Sequence, residues 1–122
     1  MAARLSAGLA TLLLLLAAAT GAGAHAFLDR AEPRVGGKLR TAPMQVTLWF
    51  TERLESAYSR VKVVNEAGKQ VDKQDVGVDP TDARALRVSL PPLGPGTYRV
   101  VWRVLSVDTH VTEGDFTFRV AP

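Results

Sequence analysis

Apolar and polar residues alternate along most of the chain after residue 43. In the stretch MQVTLWF, residues 44–50, every even-numbered position is apolar. Because successive side chains of a strand point to opposite faces, this pattern predicts a half-buried strand with Met44 in the core. Similar runs lie at residues 60–64, 84–90, 97–106 and 115–120, with a weaker one near 69–75.

Turn-forming residues separate the predicted strands. They make up the segments NEAG at 65–68, VGVDPTD at 76–82 and PPLGPG at 91–96. Glycine, proline, asparagine and aspartate favour such chain reversals. Beyond residue 24 no apolar helical stripe is sustained, and at most one helical turn near 52–58 competes. About seven short strands in one domain predict an all-β fold, an immunoglobulin-like antiparallel β-sandwich with Greek-key connections.

The first 24 residues have the pattern of a secretory signal peptide. Arg4 precedes an apolar run at 9–19, and Ala22-Gly23-Ala24 matches the small-x-small site that signal peptidase cleaves. The run is shorter than the about 20 apolar residues that a membrane span needs. We therefore expect cleavage to leave 122 − 24 = 98 residues, a single domain at 25–122, exported to the periplasm or the exterior of the cell envelope.

Charge and cysteine content exclude several classes of function. Cleavage would remove one of the 15 Lys and Arg residues and none of the 12 acids, leaving a net charge of 15 − 1 − 12 = +2. Basic and acidic residues are interspersed, as in residues 53–75, which favours a solvated surface over a nucleic-acid interface. The chain has no cysteine, which excludes disulfides, thiolate metal sites and cysteine nucleophiles.

The two histidines, His25 and His110, are the main candidates for chemistry. His110 follows Asp108 by two residues, and residues at this spacing project to the same side of an extended chain. After cleavage His25 would offer its α-amine and its imidazole to one ion. An α-amine has a pKa of about 8 and releases its proton to a metal more readily than lysine does. Three nitrogens and one carboxylate oxygen form a donor set that favours Cu(II).

Each of these signals is weak when taken alone. A single histidine or an Asp-x-His triplet is more often an ordinary surface feature than a metal site. The interpretation rests on their conjunction, because one site would use both histidines, and His25 lies where processing would create a chelating terminus. On these residues alone, an immunoglobulin-like interaction module without metal stays open as an alternative.

Three segments resemble the CopC family of periplasmic copper-binding proteins. They are HAFLDRAEPRVGGKL at 25–39, VTLWFTE at 46–52 and LPPLGPGTYRVVWRVLSVDTHVTEGDFTF at 90–118. The resemblance implies a copper-binding β-sandwich in which His25, through amine and ring, binds Cu(II) together with Asp108 and His110. It also makes Glu52, the last residue of a Phe-Thr-Glu element, a secondary candidate ligand. The alternative for Glu52 is an ordinary exposed acid at a strand end.

The sequence departs from the family in two places. Some members carry a methionine-rich loop for Cu(I), whereas Met44 is the only methionine after the predicted leader, so a thioether site for Cu(I) is not expected. Val111 stands where the family commonly has proline after the second histidine, which removes no ligand. The sequence thus predicts an exported Cu(II)-binding protein that sequesters or delivers copper in resistance or homeostasis, and not an enzyme.

An enzymatic alternative is a copper monooxygenase that attacks polysaccharides, since such enzymes also use a terminal histidine chelate. Asp108 argues against it by filling the position that a catalytic metal keeps open. The expected partners are the copper ion and, from the family resemblance, a CopD-type membrane copper transporter. Some relatives are fused to such a transporter, whereas here the transporter would be a separate protein. We expect a monomer that binds no nucleic acid and does not insert into the membrane after processing.

Overall fold

Two four-stranded β-sheets pack against each other in the computed structural model, which describes residues 25–122. The predicted leader, 1–24, lies outside the described residues. The first sheet has the order β1-β3-β6-β5, formed by Leu28–Glu32, Gln45–Phe50, Asp82–Ser89 and Gly77–Asp79. The second has the order β2-β8-β7-β4, formed by Lys38–Leu39, Val111–Val120, Gly96–Leu105 and Arg60–Val64. The strand pairs are antiparallel except β2 with β8, which is parallel.

The core lies between the sheets and is built by the alternation of the strands. The inward residues of the two longest strands are Tyr98, Val100, Trp102 and Val104 on β7 and Phe116, Phe118 and Val120 on β8. They face Val46, Leu48 and Phe50 of β3. Burying one large apolar side chain stabilises the fold by about 1.5–3 kcal/mol. The packed core therefore supplies the stability of a chain that has no cysteine to form disulfides.

The structure confirms the predicted all-β immunoglobulin-like sandwich. The runs at 60–64, 84–90 and 97–106 coincide with β4, β6 and β7 to within two residues. Strand β8 starts at Val111, before the predicted 115, because its ladder with β7 continues as far as the pair Leu105–Val111. Within the described residues the one helical element is a 3₁₀ turn, Ser56–Tyr58, inside the segment where a helical turn was expected.

Three local predictions are wrong. Near 69–75 there is only an isolated bridge from Gln70 to Val64, because the Asp72 carboxylate accepts the Val63 N–H at 2.8 Å in place of a strand partner. A short strand, β5, instead forms inside the predicted turn at 76–82. Met44 is 84% exposed, because β3 begins one residue later and the alternation of the pleated strand does not reach it.

The segments that bear the predicted ligands meet at one end of the sandwich. The N-terminal segment is held to the end of β3, where the Thr51 N–H donates to the Phe27 carbonyl at 2.9 Å. The turn between β7 and β8 is held to the chain after β3, where the Val107 N–H donates to the Arg53 carbonyl at 3.0 Å. The fold therefore brings the beginning of the described chain to the β7–β8 turn.

Candidate metal centre

Hydroxyl groups fix the backbone beside His25. The Thr51 Oγ1 accepts the Phe27 N–H at 2.9 Å and donates to the His25 carbonyl at 3.3 Å. The Thr112 Oγ1, on β8, donates to the Ala26 carbonyl at 2.6 Å, and Ala26 is fully buried. The segment is thus joined to both sheets, while the His25 side chain remains exposed.

The second histidine lies in the turn between β7 and β8, residues 106–110. The Ser106 N–H donates to the His110 carbonyl at 3.0 Å, and the Thr109 N–H donates to the Ser106 carbonyl at 2.9 Å, so the turn is closed on itself. Thr109 has a φ of 73°, in the left-handed region that β-branched residues seldom adopt. The backbone from Asp108 to His110 is therefore turned, and the extended geometry assumed from the sequence is wrong.

The structure nevertheless brings the three main predicted ligands into one cluster. The rings of His25 and His110 meet edge to face, with centroids 4.6 Å apart and planes at 73°. The Asp108 Oδ1 lies 3.6 Å from the His110 Nδ1. The Phe27 ring borders the cluster, 6.0 Å from the His25 ring. His110 is thus in contact with both other predicted ligands.

The environment of Asp108 favours its charged form. The fully buried Ser106 hydroxyl donates a hydrogen bond to the Asp108 Oδ1, and the His110 imidazole lies beside the same oxygen. The hydrogen bond from Ser106 is the main reason why the pKa of the Asp108 carboxyl is lower than its ordinary 3.8, with a smaller contribution from His110. A carboxylate that is ionised at neutral pH is a suitable oxygen ligand for a divalent ion.

The donor chemistry of the cluster fits a metal ion. The His110 Nδ1 is buried and has no hydrogen-bond partner among the described residues, because its separation from Asp108 exceeds a hydrogen bond. Buried polar atoms normally have a partner, and a bound ion is one way to supply it. Two imidazoles and a carboxylate are ligands that suit Cu(II).

The side chains alone do not form a complete metal site. Within residues 25–122 no three His, Cys, Asp or Glu side chains are already arranged to hold an ion. The predicted donor set also includes the α-amine that cleavage after Ala24 would release at His25. This amine would lie on the residue whose ring already contacts His110.

Glu52, the secondary candidate, is half-buried just beyond β3. In the described part of the chain no hydrogen bond or ion pair joins it to His25 or His110. Its role as a ligand stays a prediction.

Three further residues of the site could not be identified from the sequence. The hydroxyls of Ser106, Thr51 and Thr112 hold the segments that bear the predicted ligands. Ser106 lies two residues before Asp108, but in the sequence it is indistinguishable from an ordinary strand residue.

Comparison with known proteins gives a consistent result. The CopC domain family matches residues 28–121, which include Glu52, Asp108 and His110. Protein YobA of Escherichia coli K12 is 36% identical over 98 residues, covering 80% of this chain and 79% of that protein. Copper resistance protein C of Pseudomonas syringae pv. tomato is 32% identical over 105 residues, covering 81% of this chain and 82% of that protein.

A solved structure has the same architecture. The crystal structure of CopC from Methylosinus trichosporium OB3b superimposes with a TM-score of 0.72 at 35% sequence identity. The superposition covers 80% of this chain and 95% of that one. Fold and sequence therefore lead to the same family.

Proposed function

Because the chain belongs to the CopC family of copper resistance proteins, which are not enzymes, we propose that it is an exported Cu(II)-binding protein that sequesters or delivers copper. The observation that carries the proposal is the contact between the two histidines, whose ring centroids are 4.6 Å apart. Asp108 adds a carboxylate beside His110. Nitrogen and oxygen donors thus converge at one end of the sandwich.

Each donor has its own task in the proposed site. The amine and imidazole of His25 would close a chelate on the ion, and His110 would supply the third nitrogen. Asp108, whose charged form is favoured by the hydrogen bond from Ser106, would supply an anionic oxygen that offsets part of the ion's charge. Glu52 is a further proposed donor, supported by its position just after β3.

The oxidation state follows from the same donors. Cu(I) is selected by soft thiolate and thioether ligands. The chain has no cysteine, and its only methionine in 25–122, Met44, lies before β3, while His25 is held at the other end of that strand through Thr51. This supports Cu(II) as the preferred ion.

Export and the partner are also proposals. The leader pattern of residues 1–24 supports export to the periplasm or cell-envelope exterior. In the part of the chain that the structure describes, no helix is long and apolar enough to cross a membrane. We propose a CopD-type membrane copper transporter as partner, as the family resemblance implies. Phe27, Val107 and Val111, which are 57%, 48% and 47% exposed around the cluster, offer apolar contacts for docking there.

A titration of the processed protein tests the proposal. Protein with residue 25 as its first residue, verified by mass spectrometry, is competed against chelators of Cu(II) and, separately, of Cu(I). We expect one Cu(II) per chain and weak Cu(I) binding. The control is a folded variant with both histidines replaced by alanine, which should bind neither ion tightly. Tight Cu(I) binding with little Cu(II) binding would refute the proposed donors, and no binding at all would favour the interaction module.

A further inference from the structure

We infer that Ser106 is a positioning residue of the copper site, whose hydroxyl holds Asp108 and His110 in one arrangement. The inference rests on the proposed function, because it concerns how the proposed ligands are held. Ser106 would not touch the ion. Its effect would come through two hydrogen bonds made by a single oxygen atom.

The backbone of Ser106 is fixed by the sandwich as well as by the turn that it begins. Ser106 directly follows β7 and forms an antiparallel bridge with Leu54, in the chain that follows β3. The next residue, Val107, donates its N–H to the Arg53 carbonyl at 3.0 Å. Ser106 is also fully buried. It therefore provides a rigid point beside two ligands whose own side chains are partly exposed.

The hydroxyl of Ser106 reaches both ligands at once. It hydrogen-bonds to the Asp108 Oδ1, and it accepts the backbone N–H of His110 at 3.3 Å. The His110 carbonyl also lies 3.2 Å from the same oxygen. A hydroxyl has one proton to donate, and the carboxylate is the stronger acceptor, so the proton is directed to Asp108. The His110 N–H then occupies a lone pair of the same oxygen.

This arrangement leaves a free oxygen on the carboxylate. With Oδ1 engaged by Ser106, the Oδ2 of Asp108 has no hydrogen-bond partner among the described residues and is available as a ligand. Without the hydroxyl, the side chain of Asp108, which is 45% exposed, and the backbone of His110, whose side chain is 43% exposed, would lose this restraint. Their ordering would then have to accompany metal binding, at a cost in conformational entropy.

A purely structural role for Ser106 is the alternative, and the chain offers a matched control. Ser59 is also buried, and its hydroxyl accepts the Leu105 N–H at 3.2 Å, next to Ser106 in sequence. It makes no hydrogen bond to His25, Asp108 or His110 within the described residues. Ser59→Ala therefore removes a buried hydroxyl from the same region without touching the proposed ligands.

The experiment compares Ser106→Ala and Ser59→Ala with the wild type, all in processed form. Cu(II) affinity, the electron paramagnetic resonance spectrum of the Cu(II) form, and the thermal midpoint of the apo form are measured. Hydrogen exchange of the His110 amide is followed in the apo form. Ser106→Ala should lose about 10- to 100-fold in Cu(II) affinity, change the spectrum and speed the exchange. Ser59→Ala should lower the midpoint and leave the affinity and spectrum unchanged.

The outcomes separate this inference from the proposed function. If the wild type binds no Cu(II), the proposed function fails. If the wild type binds but Ser106→Ala has unchanged affinity and spectrum, Ser106 is not a positioning residue. Should Ser106→Ala not fold, Ser106→Thr is compared with Ser106→Val, which have similar shapes and differ in the hydroxyl. Tighter binding by the threonine variant is expected, and equal affinities would overturn the inference.

Discussion

The imidazoles of His25 and His110 meet edge to face, with ring centroids 4.6 Å apart, although His25 precedes the first strand and His110 follows the seventh. The contact is made by the fold as a whole, because Thr51, directly after β3, and Thr112, on β8, hold the N-terminal segment to both sheets. The sandwich thus brings part of the proposed donor set together, and the α-amine of His25 would complete the proposed set.

The first prediction concerns that amine. Protein that retains Ala24 or a tag residue before His25 should lose Cu(II) affinity by roughly a hundredfold, about 2.7 kcal/mol, because the amine becomes an amide and the chelate opens. Chelator competition measures the loss. Removing the extension from the same sample with a protease should restore binding. Equal affinity of the extended and processed forms would show that the proposed chelate does not exist.

The second prediction is that folding does not depend on copper. The core residues Val46, Leu48 and Phe118 are fully or almost fully buried, and none is a proposed ligand. The apo form should therefore unfold cooperatively in circular dichroism melts. Copper should stabilise it by about 2.7 kcal/mol when free ion is 100 times the dissociation constant. An apo form without a cooperative transition would show that the metal is structural.

The same melts should depend on pH in a defined direction. In mildly acidic solution protons compete with copper for the amine and the imidazoles, so the copper-induced stabilisation should disappear. The apo midpoint should change less over the same range, because the core residues do not titrate. Copper stabilisation that persists in acid would argue for ligands other than histidine.

The third prediction concerns acid stability away from the site. The Asp79 carboxylate, at the end of β5, accepts the Thr81 N–H and hydroxyl, each at 2.8 Å. These bonds, and then the charge of Arg87, lower the pKa of Asp79 below 3.8. The folded state thus gains stability above about pH 4, and this gain is lost as the pH falls through the folded-state pKa.

Asp79→Asn should remove this dependence. Its free energy of unfolding, measured by urea denaturation, should be lower than that of the wild type at neutral pH, and the difference should shrink below about pH 4. Asp82→Asn, at the start of β6 and paired with Asp79 across the turn, is the control for loss of a carboxylate. A difference between wild type and Asp79→Asn that stays constant with pH would contradict the assignment.

The strand pattern was predictable where one face of the strand is buried and the other solvated. This holds for β4 and β7, whose side chains alternate between buried and more exposed positions. It fails for β1, which has a single buried residue, and for the two-residue β2. These strands form because partners distant in the chain supply their hydrogen bonds, which the alternation of residues does not encode.

The site was predictable to a similar degree. His25, Asp108 and His110 could be proposed because imidazole, amine and carboxylate are distinctive ligands, and because two of these residues are close in the sequence. Ser106 could not be proposed from the sequence, because its proposed role depends on hydrogen bonds to Asp108 and His110 within a turn. The left-handed residue of that turn is Thr109 and not a glycine, so the sequence does not mark the turn. The sequence suggested an extended chain there, so the hydroxyl's position was not evident.

The last prediction concerns the packing of Trp102 against Gly114, its partner across the β7–β8 ladder. A Cβ added at Gly114 would lie 2.5 Å from the Trp102 Cζ2 and 2.9 Å from its Cε2. The ring also packs edge to face on Phe50, with centroids 5.1 Å apart. Gly114→Ala should therefore displace the indole and destabilise the apo fold by about 1–3 kcal/mol, the usual cost of overpacking a core.

Chemical denaturation, followed by tryptophan fluorescence, measures this effect. Gly77→Ala is the matched control, because a Cβ there meets no atom within 4 Å, so its stability should change little. Cu(II) affinity should be retained in folded Gly114→Ala, since Trp102 and Gly114 lie within β7 and β8, outside the turn at 106–110 that bears Asp108 and His110. If Gly114→Ala is as stable as the Gly77→Ala control, the sheet must shift to accommodate the methyl group. In that case the close approach of the indole would not be the reason for glycine at this position.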